Sequence, residues 1–215
     1  MVKESGTDSH TTILAEVADY YSGKLAEHGE TPQGVDWNGE AGQVLRFEQL
    51  SKVVASGPAF SVNDLGAGYG ALFSYLDTRY ADVSYFGYDV SESMVMAARR
   101  QFGHARNATF SVSSTPQTSA DYGMASGIFN VRLGRADAEW RSYIEQTLDQ
   151  LHRTSRLGFS FNCLTSYSDK DKMRPHLYYA DPCELFDICK KKYSRQVALL
   201  HDYGLYEFTI LVRKL

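Results

Sequence analysis

The chain has 215 residues, 43% apolar and 22% charged, the size and composition of one globular domain that buries about 70% of its unfolded surface without covalent staples. Its 22 Lys and Arg against 26 Asp and Glu give a formal charge of −4, so it lacks the basic excess that collects nucleic acid, and no nucleic-acid partner is expected. No apolar run reaches about 18 residues, Met1–His10 is polar where a secretory leader would be apolar, and Cys163, Cys183 and Cys189 form no CxxC pair; a cytoplasmic protein with no membrane partner, disulfide framework or zinc knuckle is expected.

Over Thr11–His28, Ile13, Leu14, Val17, Ala18, Tyr21 and Leu25 recur three or four residues apart behind a Thr11 or Thr12 cap, which predicts an amphipathic helix. Turn formers fill Gly29–Gly39, and a second helix follows from Val44 through Val53–Val54, closed by Gly57-Pro58. Short apolar runs then alternate with helical segments: Ala59–Leu65, Ala71–Tyr80, Ser84–Tyr88, Ser91–Phe102, Ala108–Val112, Tyr122–Ile128, Asp137–Thr154 and Gly158–Leu164. This alternation predicts parallel β/α units. A polar loop over Thr165–Pro175, a helix over Pro182–Lys192 and a hairpin of Gln196–Leu200 with Tyr206–Val212 complete the chain. The expected fold is α/β, a doubly wound Rossmann-like core over residues 58–215 with an N-terminal helical cap over residues 1–57.

The segment Ser61–Ala71 carries the chemistry. A strand runs into Gly66, Gly68 and Gly70 and then into a helix, so the backbone can turn sharply, approach a ligand without an intervening Cβ and present free N–H groups. Gly66, Gly68 and Ala71 also satisfy the dinucleotide fingerprint, which leaves a nicotinamide-dependent reductase as an alternative. Asp64, two residues before the first glycine, favours a cationic or hydrogen-bond-donating ligand over a pyrophosphate. Asp89 closes the next strand where it can accept both hydroxyls of a ribose, or cap the following helix.

The pattern Asp64-x-Gly66-x-Gly68-x-Gly70 followed by Asp89-x-Ser91-x-x-Met94 resembles the class I S-adenosylmethionine-dependent methyltransferases over about Val62–Lys214. The resemblance implies a seven-stranded sheet with the last strand antiparallel, S-adenosylmethionine as cofactor and S-adenosylhomocysteine as product. It places Asp64, Gly66, Ala67, Gly68 and Gly70 around the methionyl and ribose parts, Asp89 on the ribose, and Val90 and Met94 against the adenine. Ser114, within Ser113–Thr115, stands where the family often has an acid, and Ser126 lies on the segment running past the methionyl group. That segment, Asp121–Asn130, departs from the signature of exocyclic-amine nucleic-acid methylases. Tyr21, Trp37 and Arg46 resemble an upstream set that holds the cofactor carboxylate in small-molecule members.

The expected reaction is therefore methyl transfer to an O or N atom of a small organic molecule, within an aromatic-lined pocket between the N-terminal helices and Thr165–Asp181. A noncatalytic S-adenosylmethionine-binding domain is a further alternative, and an oligomer is possible. Asn130, His176 and His201 are the candidate catalytic residues, His176 and His201 as proton acceptors. The charge run Ser168–Arg174 reads as a solvated loop. Clustered carboxylates are missing from Ser126–Asn130 and Leu164–Ser168, so no metal is expected.

Overall fold

The computed structural model describes residues 5–55 and 59–214, with side chains from Thr11 onward. Gly57-Pro58, the expected end of the second helix, the boundary between residues 57 and 58, and the first four residues lie outside the described residues. Two helices lead, α1 (Ser5–His28) and α2 (Glu40–Ser51), separated by a single 3₁₀ turn at Pro32–Val35. They are followed by β1 (Ala59–Leu65), α3 (Ala71–Arg79), β2 (Asp82–Asp89), α4 (Glu92–Phe102), β3 (Ala108–Val112) and β4 (Ala120–Ala125). The chain continues through α5 (Asp137–Thr154), β5 (Ser155–Leu164), α6 (Pro182–Lys192), β6 (Gln196–Leu200) and β7 (Glu207–Arg213).

The strands form one seven-stranded sheet in the order β3-β2-β1-β4-β5-β7-β6. β1 to β5 pair in parallel, and β7 is inserted antiparallel between β5 and β6. The hairpin read near the C-terminus is therefore present, with its second strand interior to the sheet. Several expected boundaries move, and α2 ends at Ser51, short of Val53–Val54. α1 begins at Ser5, so Thr11 and Thr12 lie inside the helix and do not cap it. β4 ends at Ala125 instead of Ile128, because Gly127 turns left-handed at φ +76° and aims the segment after it across the top of the sheet.

The sheet is covered on both faces. One face packs Ile13 and Val17 of α1, the α5 residues and Leu185 and Cys189 of α6. The other packs Phe47 and Leu50 of α2, Leu72 and Phe73 of α3, and Val95 and Ala98 of α4. On α5 the buried positions Trp140, Tyr143, Ile144, Thr147, Leu148 and Leu151 recur at three and four residues, the stripe of an amphipathic helix. Each large apolar side chain buried this way contributes about 1.5–3 kcal/mol. Trp140 also donates its indole N–H to Phe129 O at 2.9 Å, which pins the segment after β4. α1 and α2 are thus part of the two cores. No helix among the described residues is long and apolar enough to cross a membrane.

Candidate functional site

β1 and β4 are neighbours whose connections leave toward opposite faces, α3 on one and α5 on the other. Such a switch point leaves a crevice beyond the carboxyl ends of the strands. A cavity occupies it. Its floor is the glycine loop, with Gly66 and Gly68 at φ +82° and +55° and the N–H groups of Gly66 and Ala67 donating to Tyr88 O at 2.8 and 3.0 Å. A Cβ on Gly66 would run into Ile128, so only glycine lets these two segments close on the cavity.

Two carboxylates face the cavity. Asp89 is held by the N–H groups of Gly68 and Ser91, each at 2.8 Å from a different oxygen, and each oxygen keeps a second lone pair for a ligand hydroxyl. Burial raises its carboxyl above the usual range, opposed by the backbone N–H groups of Ser91, Gly68 and Val90. The cap of α4 is Ser91, whose Oγ accepts from Met94 N at 3.2 Å, so Asp89 is not the capping residue. Asp64 is 1% exposed; the Tyr85 hydroxyl donates to its Oδ2, while its Oδ1 has no partner. Burial pushes the Asp64 carboxyl up to about 7, with the Tyr85 bond lowering it and the Asp89 charge raising it. Ser126 Oγ, also on this cavity, is buried without a partner. A buried polar atom left unpaired costs about 1–3 kcal/mol, so both atoms point to a ligand that completes them.

Most residues of the expected cofactor set line this cavity. Val90, Met94 and Ser114 line the side beside Asp89, and Tyr21 and Trp37 close the top. Among the described residues lining this cavity there is no Lys or Arg. Two expected residues are elsewhere. Gly70 is the left-handed N-cap of α3 at φ +91°, where a Cβ would press into Phe102; its role is to turn the chain. Arg46 does not line this cavity, because its guanidinium grips Glu207 of β7 bidentately at 2.8 and 2.9 Å. It also lies over the Trp37 ring, 3.8 Å from the centroid.

A second cavity adjoins the first, and Tyr21, Val35 and Trp37 line both. It lies between the N-terminal segment and the chain after β5, with Tyr20, Tyr179 and Tyr206 adding aromatic surface. Asn130 lines it, but its Oδ1 accepts from Leu164 N at 3.0 Å and its carbonyl accepts from Tyr178 N at 2.8 Å, so it braces the wall. His176 is at the mouth. His201 lines neither cavity; it is exposed and packs against Tyr167 and Phe208, so the structure removes it from the candidate catalytic set.

Other residues at the site carry no local sequence signal. Gln43 and Tyr69, hydrogen-bonded at 3.2 Å, line the first cavity from α2 and the glycine loop. Tyr143 and Thr147 reach it from α5 at a spacing that reads only as core. Glu207, 1% exposed, accepts from Arg46 and from Asn162 Nδ2 at 2.9 Å, and Asn162 Oδ1 accepts from Gly127 N at 2.7 Å. A Cβ on Gly127 would strike the Trp37 ring. Trp37, Arg46, Glu207, Asn162 and Gly127 therefore form a closed ring of contacts at the boundary of the two cavities.

No family model matches the chain. A Mycobacterium tuberculosis protein named "Putative methyltransferase Rv1506c" is 61% identical over 163 residues, covering 76% of this chain and 98% of that protein. Among solved structures, magnesium protoporphyrin IX methyltransferase (ChlM) from Synechocystis PCC 6803 with bound SAM superposes with a TM-score of 0.66 at 14% identity, over 99% of this chain and 100% of that one. The DhpI–SAH complex superposes with a TM-score of 0.63 at 14% identity, over 97% of both chains. These two likenesses show a shared fold.

Proposed function

The chain belongs to the family of its Mycobacterium tuberculosis methyltransferase relative, and on that premise we propose that it moves a methyl group from S-adenosylmethionine to an O or N atom of a small organic molecule. The observation that carries this reading is the charge of the first cavity: two buried carboxylates, one with an unpaired oxygen, and no Lys or Arg among its described lining residues. A sulfonium with an ammonium group suits that field, whereas the pyrophosphate of a nicotinamide cofactor would meet two like charges. ChlM and DhpI, whose structures hold SAM and SAH, support the same reading by their shared fold.

The residues divide the work. Asp89 accepts from ribose hydroxyls while Gly68 and Ser91 hold it still; Val90 and Met94 pack the adenine; Asp64 and Ser126 take the polar methionyl end. Gln43 stands where Arg46 was expected, as a neutral donor for a carboxylate. When bound, S-adenosylmethionine supplies an electrophilic methyl group on a sulfonium. The protein's contribution is then chiefly alignment and exclusion of water, with a proton removed from the acceptor where its chemistry requires it. The second cavity is the acceptor site, separated from the first by Tyr21, Val35 and Trp37 and opening at His176.

Calorimetric titration with S-adenosylmethionine, S-adenosylhomocysteine, NAD and NADP tests the cofactor. Micromolar binding of the two adenosyl ligands alone is expected; binding of either nicotinamide ligand in their place would overturn the reading.

A further inference from the structure

The second cavity carries an imbalance of charge confined to one wall. Its acidic residues Asp36 and Glu207 are already neutralised, Asp36 by Lys24 at 2.9 Å and Glu207 by Arg46 at 2.8 Å. Lys172, Arg174 and His176 line the mouth from the loop between β5 and α6, and among the described residues none of the three is paired with Asp36 or Glu207. Among the described residues, the Arg174 guanidinium donates to the carbonyls of Asp171 and Met173, both at 3.2 Å. The loop's own acids lie outside the lining: Asp169 accepts from the Tyr206 hydroxyl, and Asp171 is 3.5 Å from Lys172 as an exposed pair. The loop is fixed over the cavity by backbone bonds from Arg132 and Leu133 to His176 O, at 3.1 and 3.0 Å, and by the Tyr179 hydroxyl accepting from Arg174 N at 2.9 Å.

We infer that the methyl acceptor carries an oxyanion, a carboxylate or a phosphoryl group, held by Lys172 and Arg174 beside His176 at the mouth of the second cavity. The inference rests on the reading of that cavity as the acceptor site and adds the charge of what enters it. Arg174 can meet a carboxylate or phosphoryl group with two parallel N–H donors, and Lys172 adds a point charge. Tyr21 and Trp37, which line both cavities, are where the methyl-accepting end of the molecule meets the first cavity. Both cations are exposed, so their effect is a preference of several-fold that salt weakens.

The test uses the full chain saturated with S-adenosylhomocysteine, titrated by proton NMR at low ionic strength with four probes built on one ring: 4-hydroxybenzoate, phenyl phosphate, 4-hydroxybenzamide and tyramine. The two anions are expected to bind at least about fivefold more tightly than the amide and the amine. That preference is expected to fall below about twofold in the Lys172→Ala/Arg174→Ala variant, with affinity for S-adenosylhomocysteine unchanged. Whichever anion binds more tightly identifies the oxyanion as carboxylate or phosphoryl. Binding of the amide or amine as tight as the anions, no binding of either anion, or a preference that survives the double substitution would overturn the inference. Each of those results with S-adenosylhomocysteine bound leaves the cofactor reading standing; failure of S-adenosylhomocysteine itself to bind removes both.

Discussion

The two adjoining cavities differ in charge although they share Tyr21, Val35 and Trp37. The first is bounded by buried acids and lacks basic lining residues, while the second has its acids paired off and presents Lys172, Arg174 and His176 at its mouth. Burial separates them further, since Asp64 and Asp89 are fixed by N–H and O–H donors inside the sheet, whereas the cations sit on an exposed loop. On the proposed reading, buried acids recognise the cofactor and exposed cations the acceptor. Charges in the first cavity act at low effective dielectric and tolerate no mispairing; those in the second can be exchanged at small cost.

The largest expected effect comes from breaking the boundary between the cavities. Glu207→Gln strands Arg46 without its counter-charge, and denaturant titration should show a loss of about 3–5 kcal/mol, the cost of removing one partner from a buried pair. An equally stable variant would mean that the ring around Trp37 is decorative. Next, Asp64→Asn should weaken S-adenosylmethionine binding by about 1.5–3 kcal/mol in calorimetry.

The pH dependence of Asp64 sharpens the contrast. With its carboxyl pushed up to about 7, a cationic ligand binds best to the ionised form, so wild-type affinity should fall as pH drops below 7. The unliganded protein should behave in the opposite sense. Its folded-state carboxyl lies above the unfolded value of about 3.9, so the stabilising contribution is complete below that value and is lost as pH rises through about 7. Asp64→Asn should flatten both slopes, measured by calorimetry and thermal unfolding at pH 5 and pH 8.

Asp89→Ala should cost about 2 kcal/mol of cofactor affinity, and a calorimetric value matching wild type would remove Asp89 from the site. Ser126→Ala gives the smallest change, with a distinctive sign. Deleting a buried hydroxyl that has no partner should stabilise the free protein by about 1 kcal/mol and weaken cofactor binding by a similar amount.

What was legible in the sequence was local. Asp64, Gly66, Gly68 and Asp89 sit within a short span in which the strand, the turn and the helix are each encoded by neighbouring residues, and the structure brings all four to one cavity. The β6–β7 hairpin was legible for the same reason. What escaped depends on distant pairing. Arg46 resembles a ligand of the cofactor carboxylate in sequence because nothing near it announces Glu207, 161 residues further on. The Ser168–Arg174 run reads as a solvated loop, and Asp169–Lys172 and Arg174 are exposed while Ser168 is buried; only the fold places Lys172 and Arg174 at a cavity mouth. His201 is eligible from its place at the end of a predicted strand and Gly70 from its motif, but the structure packs His201 against Tyr167 and Phe208 and makes Gly70 the turn into α3.

The pairing of Arg46 with Glu207 also bears on the order in which the molecule assembles. β7 follows β6 in the chain, yet it lies between β5 and β6, and it supplies the carboxylate that anchors a guanidinium 161 residues earlier. A nascent chain that has reached β6 has a sheet with no place to dock that strand, an uncompensated Arg46 and an unanchored Trp37. Pairings this remote in sequence close late, after the local β/α units have formed. The common wall of the two cavities is therefore anchored only once β7 has docked, and a chain truncated before Glu207 would lack the carboxylate that holds Arg46 against Trp37.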